Sequence, residues 1–394
     1  MPIRVLIYSH SFAPQVGGVE TMVMSLATAL AALNGTNRPG TLDVKVITST
    51  PQDGFDDAAL PFRMVRRPSL LRLARLLHAA DIVHVAGPCL TPMVLALLLS
   101  KHVVVEHHGF QTICPNGQLL QEPGRNPCPG RFMEGRHREC LRCNEGHGWL
   151  ASFKLWCLTF ARRWLCARVA VNITPTRWLS TALKLPRMTT IHHGVPANGN
   201  GKPSGDWASP PAIAFMGRLV TTKGVPILLR AAARLKAKGV SFELRIVGDG
   251  PERDGLQAQT RALGLAGEVS FLGYQPGEEL GDALAGVRAV ALPSLGGEVF
   301  GLVAAESMMR GMLPIVSDGG ALAEVVGDAG LTFPPGDADA LADCLQRVLE
   351  SPEFTISGAI RAQLRASSSF TLSRMAGEHA AVYQALPAQG AGRC

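Results

Sequence analysis

Nothing in the chain is apolar for long enough to cross a bilayer. The longest apolar run, Met93 to Leu99, stops at Ser100 and Lys101, far short of the roughly 18–20 residues that a spanning helix needs. No secretion signal is expected either, since MPIRVLIYSH reads as a first β-strand and lacks the longer apolar core and small-residue cleavage site of such a peptide. The expectation is a cytoplasmic protein, at most peripheral at the inner face of the membrane. A disulfide framework is likewise excluded: the nine cysteines are an odd number, and four of them crowd one short segment while the rest are scattered, so reduced thiols are the default. Acidic residues fall short of basic ones, 31 against 38, which gives a formal charge of +7. That balance favours an anionic partner, such as a phosphate-rich ligand or an anionic lipid surface, and leaves nucleic acid open on charge alone.

The 394 residues, 47% of them hydrophobic and 18% charged, suffice for two ordinary domains, each with its own core. IRVLIY is followed by the glycine-containing loop SHSFAPQVGGVE and then by a helical pattern through Met22, Leu26, Leu30 and Leu33. Short β-branched runs at 44–49, 81–85, 102–106 and 168–174 alternate with helical stretches, which implies a parallel sheet wrapped by helices. The second half repeats this pattern, with strands expected at 212–217, 243–248, 269–273, 289–293 and 313–317. The fold class is therefore α/β, two doubly wound units. Residues 1–195 form the first, with a Cys-rich insertion at 112–148. The Pro-, Gly- and Ser-rich stretch 196–211 is a linker, 212–367 form the second unit, and 368–394 are expected to return to the first through a helix near 372–386. Ligands of such sheets bind at the carboxyl ends of the strands, which places the expected site in a cleft between the units.

Two segments of the second half carry chemistry. In FMGRLVTTKGVPILL, Gly217 makes a tight turn after a strand, and Arg218 and Lys223 flank the entry to a helix. Two cations beside a helix N-terminus suit a diphosphate; the bland alternative is a pair of solvated surface charges. In PSLGGEVFGLVAAES, Glu298 lies in a glycine-rich loop, Gly301 starts a helix and Glu306 sits on its second turn, eight residues beyond Glu298. A loop carboxylate can accept hydrogen bonds from sugar hydroxyls, the amides after Phe300 can hold a phosphate, and the helix carboxylate can chelate ribose hydroxyls. Acidic groups in first helical turns also occur for the macrodipole alone, although that leaves the glycines unexplained. GDGPERDGL at 248–256 is a strand-end turn in which Gly248 and Gly250 permit close backbone approach and Asp249 is either near the nucleotide or a plain turn residue.

In order along the chain, GGVE at 17–20, HHG at 107–109, IHHGV at 191–195, GRL at 217–219 followed by KG at 223–224, GDGPERDGL, FLGY at 271–274, and LPS at 292–294 followed by Glu298-Val-Phe-Gly and Glu306 closely resemble the retaining glycosyltransferases of family 4, the glycosyl transferases group 1. The resemblance covers nearly the whole chain. It implies the GT-B architecture, two Rossmann-like domains facing each other across a cleft, and transfer of a hexose-type sugar from a nucleotide-diphosphate sugar to an acceptor without a catalytic cofactor. It also implies that Arg218 and Lys223 stabilise the diphosphate, that Glu298 holds the donor sugar, that Glu306 holds the ribose, and that the amides of Phe300, Gly301 and Leu302 contact phosphate. Gly17 and Gly18 approach the donor from the first domain, with Gly217, Gly248 and Asp249 beside it in the second. Of the paired histidines, the resemblance favours His108 over His107 as the residue near the reacting carbon, because Gly109 follows it; a histidine simply buried at a strand end is the alternative. No metal-binding DxD pair is required, and no residue stands out as a covalent nucleophile, so retention is inherited from the resemblance.

The insertion departs from that pattern. Cys114, Cys128, Cys140 and Cys143 are spaced C-x13-C-x11-C-x2-C in a segment with little apolar material, and four thiolates could hold a structural zinc, with His108, His137 or His147 as substitutes. Unliganded thiols, disulfides formed on oxidation and an iron–sulfur cluster are the alternatives. From Arg125 to Arg168 nine Lys and Arg face three acidic residues, interleaved with Trp149, Phe153, Trp156, Phe160 and Trp164. In KLWCLTFARRWLCAR the apolar positions run nearly all round, which points to a buried helix with snorkelling cations, the alternative being a helix on an anionic membrane surface. Two other functions compete: a nucleotide-sugar epimerase of the same architecture, and a nucleic-acid-binding protein built on the basic insertion. The second leaves Arg218, Lys223, Glu298 and Glu306 without a role.

Overall fold

The structure, a computed structural model, describes residues 2–33, 41–121, 126–144, 146, 148–197 and 209–386. Residues 198–208 of the expected linker, 387–394 of the C-terminal segment and His147 lie outside the described residues. The chain divides into two compact units. The first comprises residues up to Leu119, Cys128–Gly194 and the segment from Phe370; the second comprises Leu120–Pro127 and Val195–Ser369.

The first unit opens with β1 (Ile3–Ser9), α1 (Gly18–Ala32), β2 (Leu42–Thr48), β3 (Arg63–Arg66), α2 (Leu70–Ala79), β4 (Ile82–Ala86), α3 (Leu90–Leu98) and β5 (His102–Glu106). The insertion follows, with the two-residue strands β6 (Leu120–Gln121) and β7 (Asn126–Pro127), which pair antiparallel and belong to the second unit, and then α4 (His137–Cys143). After it come α5 (Trp149–Cys166), β8 (Val171–Thr174), α6 (Arg177–Leu183) and β9 (Met188–Thr190). The seven strands of this sheet are ordered β3-β2-β1-β4-β5-β8-β9 and all pair in parallel. Central strands such as β4 are buried along their whole length, which is why they read as continuous β-branched runs rather than alternating ones. The edge strands β3 and β9 are short and only partly buried, so their sequences carried no such signal.

The second unit contains β10 (Ala212–Met216), α7 (Val225–Ala237), β11 (Glu243–Val247), α8 (Arg253–Ala262), β12 (Val269–Gly273), α9 (Gly277–Ala283), β13 (Val287–Leu292), α10 (Leu302–Met309), β14 (Leu313–Ser317), α11 (Ala321–Val326), β15 (Leu331–Phe333), α12 (Ala338–Glu350) and α13 (Pro352–Ser369). Its six strands are ordered β12-β11-β10-β13-β14-β15, again all parallel. Phe215, Leu228, Ile246, Ile315 and Leu345 meet in its core. Asp337 caps α12 by accepting hydrogen bonds from the amides of Asp339 and Ala340 at 2.9 and 3.0 Å.

The last helix, α14 (Leu372–Ala385), belongs to the first unit and packs on α1. Met375, Ala376 and Tyr383 join Ile7, Leu26 and Val46 in one buried cluster. One expectation about the stretch after the insertion needs correction. The α5 helix is not buried on all sides: Trp149, Leu150 and Trp164 are 67%, 76% and 57% exposed, and its buried residues are confined to Ser152, Thr159, Leu165 and Cys166. The little apolar material of the insertion is packed, with Phe132 buried against Phe160 and the ring of His137, centroids 4.7 and 5.2 Å apart.

Gly194 sits where the chain meets α14. A Cβ there would come within 2.7 Å of the Leu372 Cα and the Thr371 carbonyl oxygen, and neither backbone atom can yield cheaply. Gly194→Ala is expected to cost about 1–3 kcal/mol, read as a lower thermal midpoint of the full chain.

Candidate functional site

In the second unit the loops that follow β10, β11 and β13 interlock through glycines. A Cβ on Gly224, which has φ of +69°, would overlap the Pro293 carbonyl, and one on Gly248, with φ of +135°, would overlap the Gly217 carbonyl; only glycine allows both the backbone conformation and the approach. The Leu295 amide donates to the Thr222 carbonyl at 2.8 Å, and the Leu219 amide to the Asp249 carbonyl at 2.9 Å. This stitching brings Lys223 to Glu298: the ammonium donates to the carboxylate Oε1, which also accepts from the Ser294 hydroxyl at 3.1 Å. Ser317 in turn donates to the Ser294 carbonyl at 2.5 Å. A cation and a carboxylate 75 residues apart in sequence are thus fixed in one partly exposed position, able to meet a phosphate and a hydroxyl respectively.

The other expected residues of this unit surround the same strand ends. Gly217 follows β10 with φ of +146°, and Arg218 beside it is exposed. Gly301, at φ of +95°, is the N-cap of α10, preceded by the buried Phe300 and followed by Leu302; the first amides of a helix have no intrahelical acceptor and offer themselves to an anion. Glu306 lies on α10, partly buried, and burial raises its carboxyl above the usual range despite nearby Arg310. Asp249 is exposed and engaged locally, accepting from the Gly250 amide at 2.7 Å and from Arg253 at 3.0 Å. Leu120 of the insertion lies beside Gly296 in the Glu298 loop, 3.3 Å from where a Cβ would stand, a contact that the sequence did not announce.

In the first unit Gly17 is the extended N-cap of α1, its carbonyl accepting from the Thr21 amide at 3.0 Å, and Gly18 is the first helical residue. The two histidines after β5 diverge. His107 is buried with its Nε2 2.9 Å from the Asn172 Oδ1, and burial pushes its pKa down to about 4. His108, with a side chain 6% exposed, stacks on His193 at 5.5 Å and turns its Nε2 toward Glu106 Oε2 at 3.8 Å.

Glu106 itself escaped the sequence reading. It is wholly buried at the end of β5, and four imidazoles surround it: His84 at 3.1 Å, His379 and His193 each at 3.6 Å, and His108. Burial alone would raise its pKa, but the imidazoles of His379, His108 and His84 outweigh that and hold it well below the ordinary carboxylate range. Burial keeps His84 and His108 below the usual imidazole value and pushes His193 down to about 3. Only the pair Glu106-His107 is visible in the sequence as neighbouring polar groups at a strand end; His84, His193 and His379 arrive from three other places in the chain.

The four insertion cysteines are neighbours in the first unit. The Cys140 thiol is pushed up to about 12, by burial and by Cys114, Cys128 and Cys143 around it. Cys114 donates to the Asn116 Oδ1 at 2.9 Å. Two of the substitute ligands are drawn elsewhere, His108 to Glu106 and His137 among the rings of Phe132, Trp156 and Phe160. Among the described residues, the groups of three or more metal-capable side chains with ligand atoms within 4.8 Å of one another are both built on Glu106.

Residues 202–363 match the family of glycosyl transferases group 1. The chain is 32% identical over 174 residues to a 2-deoxystreptamine glucosyltransferase of Streptomyces kanamyceticus, covering 43% of each chain. It is 31% identical over 217 residues to a phosphatidyl-myo-inositol mannosyltransferase of Mycolicibacterium smegmatis, covering 51% of this chain and 53% of that one. The chain thus spans about half the length of the curated relatives it matches. Among solved structures, Anabaena HepE in complex with UDP and glucose superposes with a TM-score of 0.71 over 98% of this chain and all of that one, at 18% identity. That likeness shows the fold, the GT-B class built of two Rossmann-like units.

Glu306 supplies a test of this local electrostatics. Its folded pKa is raised, so the stability it contributes is present while it is protonated and is lost as pH rises through that value. Glu306→Gln is therefore expected to raise the thermal midpoint by a few degrees at neutral pH, and the gain should vanish below the ordinary carboxylate range of about 4.

Proposed function

We propose that the chain is a retaining glycosyltransferase that moves a hexose-type sugar from a nucleotide-diphosphate sugar to a glycan, lipid-linked or small-molecule acceptor. The observation that carries this reading is the Lys223–Glu298 pair, built into glycine-stitched loops inside the segment that matches the family. Cleaving the bond between sugar and diphosphate leaves new charge on the departing nucleotide, and fixed cations and amides stabilise such charge without reorganising. Lys223 and Arg218 take that role, with the amides of Phe300, Gly301 and Leu302 on the phosphates. Glu298 accepts hydrogen bonds from the sugar hydroxyls, and Glu306 from the ribose. Gly217, Gly248 and Asp249 border the nucleotide, while Gly17, Gly18 and His108 serve the donor from the first unit. The acceptor attacks on the face from which the diphosphate departs, and catalysis uses no metal. Names among the relatives, a glucosyltransferase and a mannosyltransferase, support a hexose, and HepE solved with UDP-glucose supports a nucleotide sugar.

A structural zinc on Cys114, Cys128, Cys140 and Cys143 belongs to the same reading. Burial and the three neighbouring cysteines push the Cys140 thiol up, and a bound cation would reverse this by stabilising the thiolate. The chain works in the cytoplasm, and the exposed Trp149, Leu150 and Trp164 of α5 beside Lys154 and Arg168 support peripheral contact with an anionic membrane. Arg168 already stacks on the Trp164 ring at 3.5 Å.

Lys223→Ala and Glu298→Gln are each expected to lower turnover of a nucleotide sugar by about 10²–10³ with the thermal midpoint retained. Activity within twofold of wild type would refute their roles, and loss of all turnover in short assays with EDTA would refute metal-free catalysis. For the insertion, Cys140→Ser is expected to lose one zinc per chain and most acceptor transfer while keeping donor affinity; unchanged metal content and unchanged transfer would sink that assignment.

A further inference from the structure

The Glu106 cluster is the other chemistry-bearing assembly of the first unit, and no step above uses its interior. Three of its members come from elements remote in sequence: His84 from the middle of β4, Glu106 from the end of β5 and His379 from α14. All three side chains have no solvent exposure. One ring nitrogen of each histidine and a carboxylate oxygen lie within 4.8 Å of one another, and it is Nε2 of both rings that faces Glu106 Oε2.

The hydrogen bonds behind these atoms decide what they can do. His379 Nδ1 is 2.8 Å from the Met375 carbonyl, an acceptor only, so that nitrogen carries the proton. The Nε2 of the same ring faces a buried carboxylate oxygen 3.6 Å away, and it has no hydrogen bond of its own. Two electron-rich atoms facing each other in a dry interior repel unless a cation lies between them. A proton there would draw the pair together to about 2.7–2.9 Å, the length of a charge-assisted hydrogen bond. Two ligands on one tetrahedral ion with bonds of about 2.0–2.1 Å instead stand about 3.3 Å apart, and the separations of 3.1 and 3.6 Å from Glu106 Oε2 to His84 and His379 bracket that value. The outer nitrogen of His84 is also held, 2.8 Å from the Tyr383 hydroxyl. Imidazoles whose outer nitrogens are pinned to a carbonyl or hydroxyl are the usual supports of a metal.

We propose that His84 Nε2, His379 Nε2 and Glu106 bind a divalent transition-metal ion, zinc by the nature of the donors, which ties α14 to β4 and β5. The ion is distinct from any held by the insertion cysteines and takes no part in transfer. It binds as the unit folds, since all three ligand side chains are shut away from solvent, and its binding energy becomes folding energy. The second group on Glu106, formed with His108 and His193, borders the same carboxylate, so the ion also fixes the surroundings of His108.

The experiment uses the full chain with Cys140→Ser, which separates this ion from a cysteine-bound one, purified without added metal and analysed by mass spectrometry. One tightly held ion per chain is expected in Cys140→Ser, and none when His84→Gln or His379→Gln is added. Cobalt(II) loaded into Cys140→Ser should give visible ligand-field bands without thiolate charge-transfer absorption. Tyr383→Phe keeps all three ligands, covers the case in which the histidine variants fail to fold, and is expected to weaken cobalt binding by about 10–100-fold. A Cys140→Ser protein that takes up neither zinc nor cobalt, histidine variants that retain the ion, or a Tyr383→Phe affinity equal to that of its parent would each overturn the assignment.

Discussion

Parallel pairing is the constraint on which the rest of the structure depends. Every neighbour in the two large sheets runs the same way, so each connection must cross over from the end of one strand to the start of the next, and helices supply the crossing. All carboxyl ends of a sheet then lie along one edge, and the loops that leave them are free of the ladder. Gly17, His108, Gly217, Gly248 and Glu298 all follow such ends, after β1, β5, β10, β11 and β13. Loops there can carry polar and strained residues because the buried strands behind them supply the rigidity.

The two units use that edge differently. In the second, glycines let backbone approach backbone, and the result is a partly exposed cation–carboxylate pair surrounded by amides, suited to a ligand rich in phosphate and hydroxyl groups. In the first, the edge above β4 and β5 is closed by α14, and the polar groups beneath it are shut away from water. Glu106 must find its compensation from imidazoles or from a cation, because a buried carboxylate without either costs several kcal/mol or more. The charge state of that interior and the position of His108 are therefore linked through one carboxylate.

What the sequence made legible was whatever is encoded within a few residues. Central strands are buried on both faces and show as runs such as DIVHV and AIAFM; the edge strands β3, β9 and β15, short and partly exposed, do not. The loop glycines could be read because a positive φ or a close approach leaves no substitute. On α5 the reading failed, since apolar residues all round a helix look like burial, and only the packing of neighbours decides that Trp149, Leu150 and Trp164 stay at the surface. The insertion has little apolar material, and only the tertiary structure shows how it packs, with Phe132 against Phe160 and the ring of His137.

Local chemistry in the sequence thus determined two doubly wound α/β units, the strand ends that carry Arg218, Lys223, Glu298 and Glu306, and the clustering of four cysteines, because periodicity, glycine punctuation and short motifs are properties of neighbouring residues. Tertiary structure alone decided that Lys223 bonds Glu298 across 75 positions, that His107 is sealed against Asn172 while His108 turns to Glu106, and that α14 brings His379 and Tyr383 to His84 and Glu106. The reason is physical: a buried polar side chain is tolerable only through its partners, and those partners are chosen by the sheet order and by the return of the last helix, neither of which any local pattern of residues records.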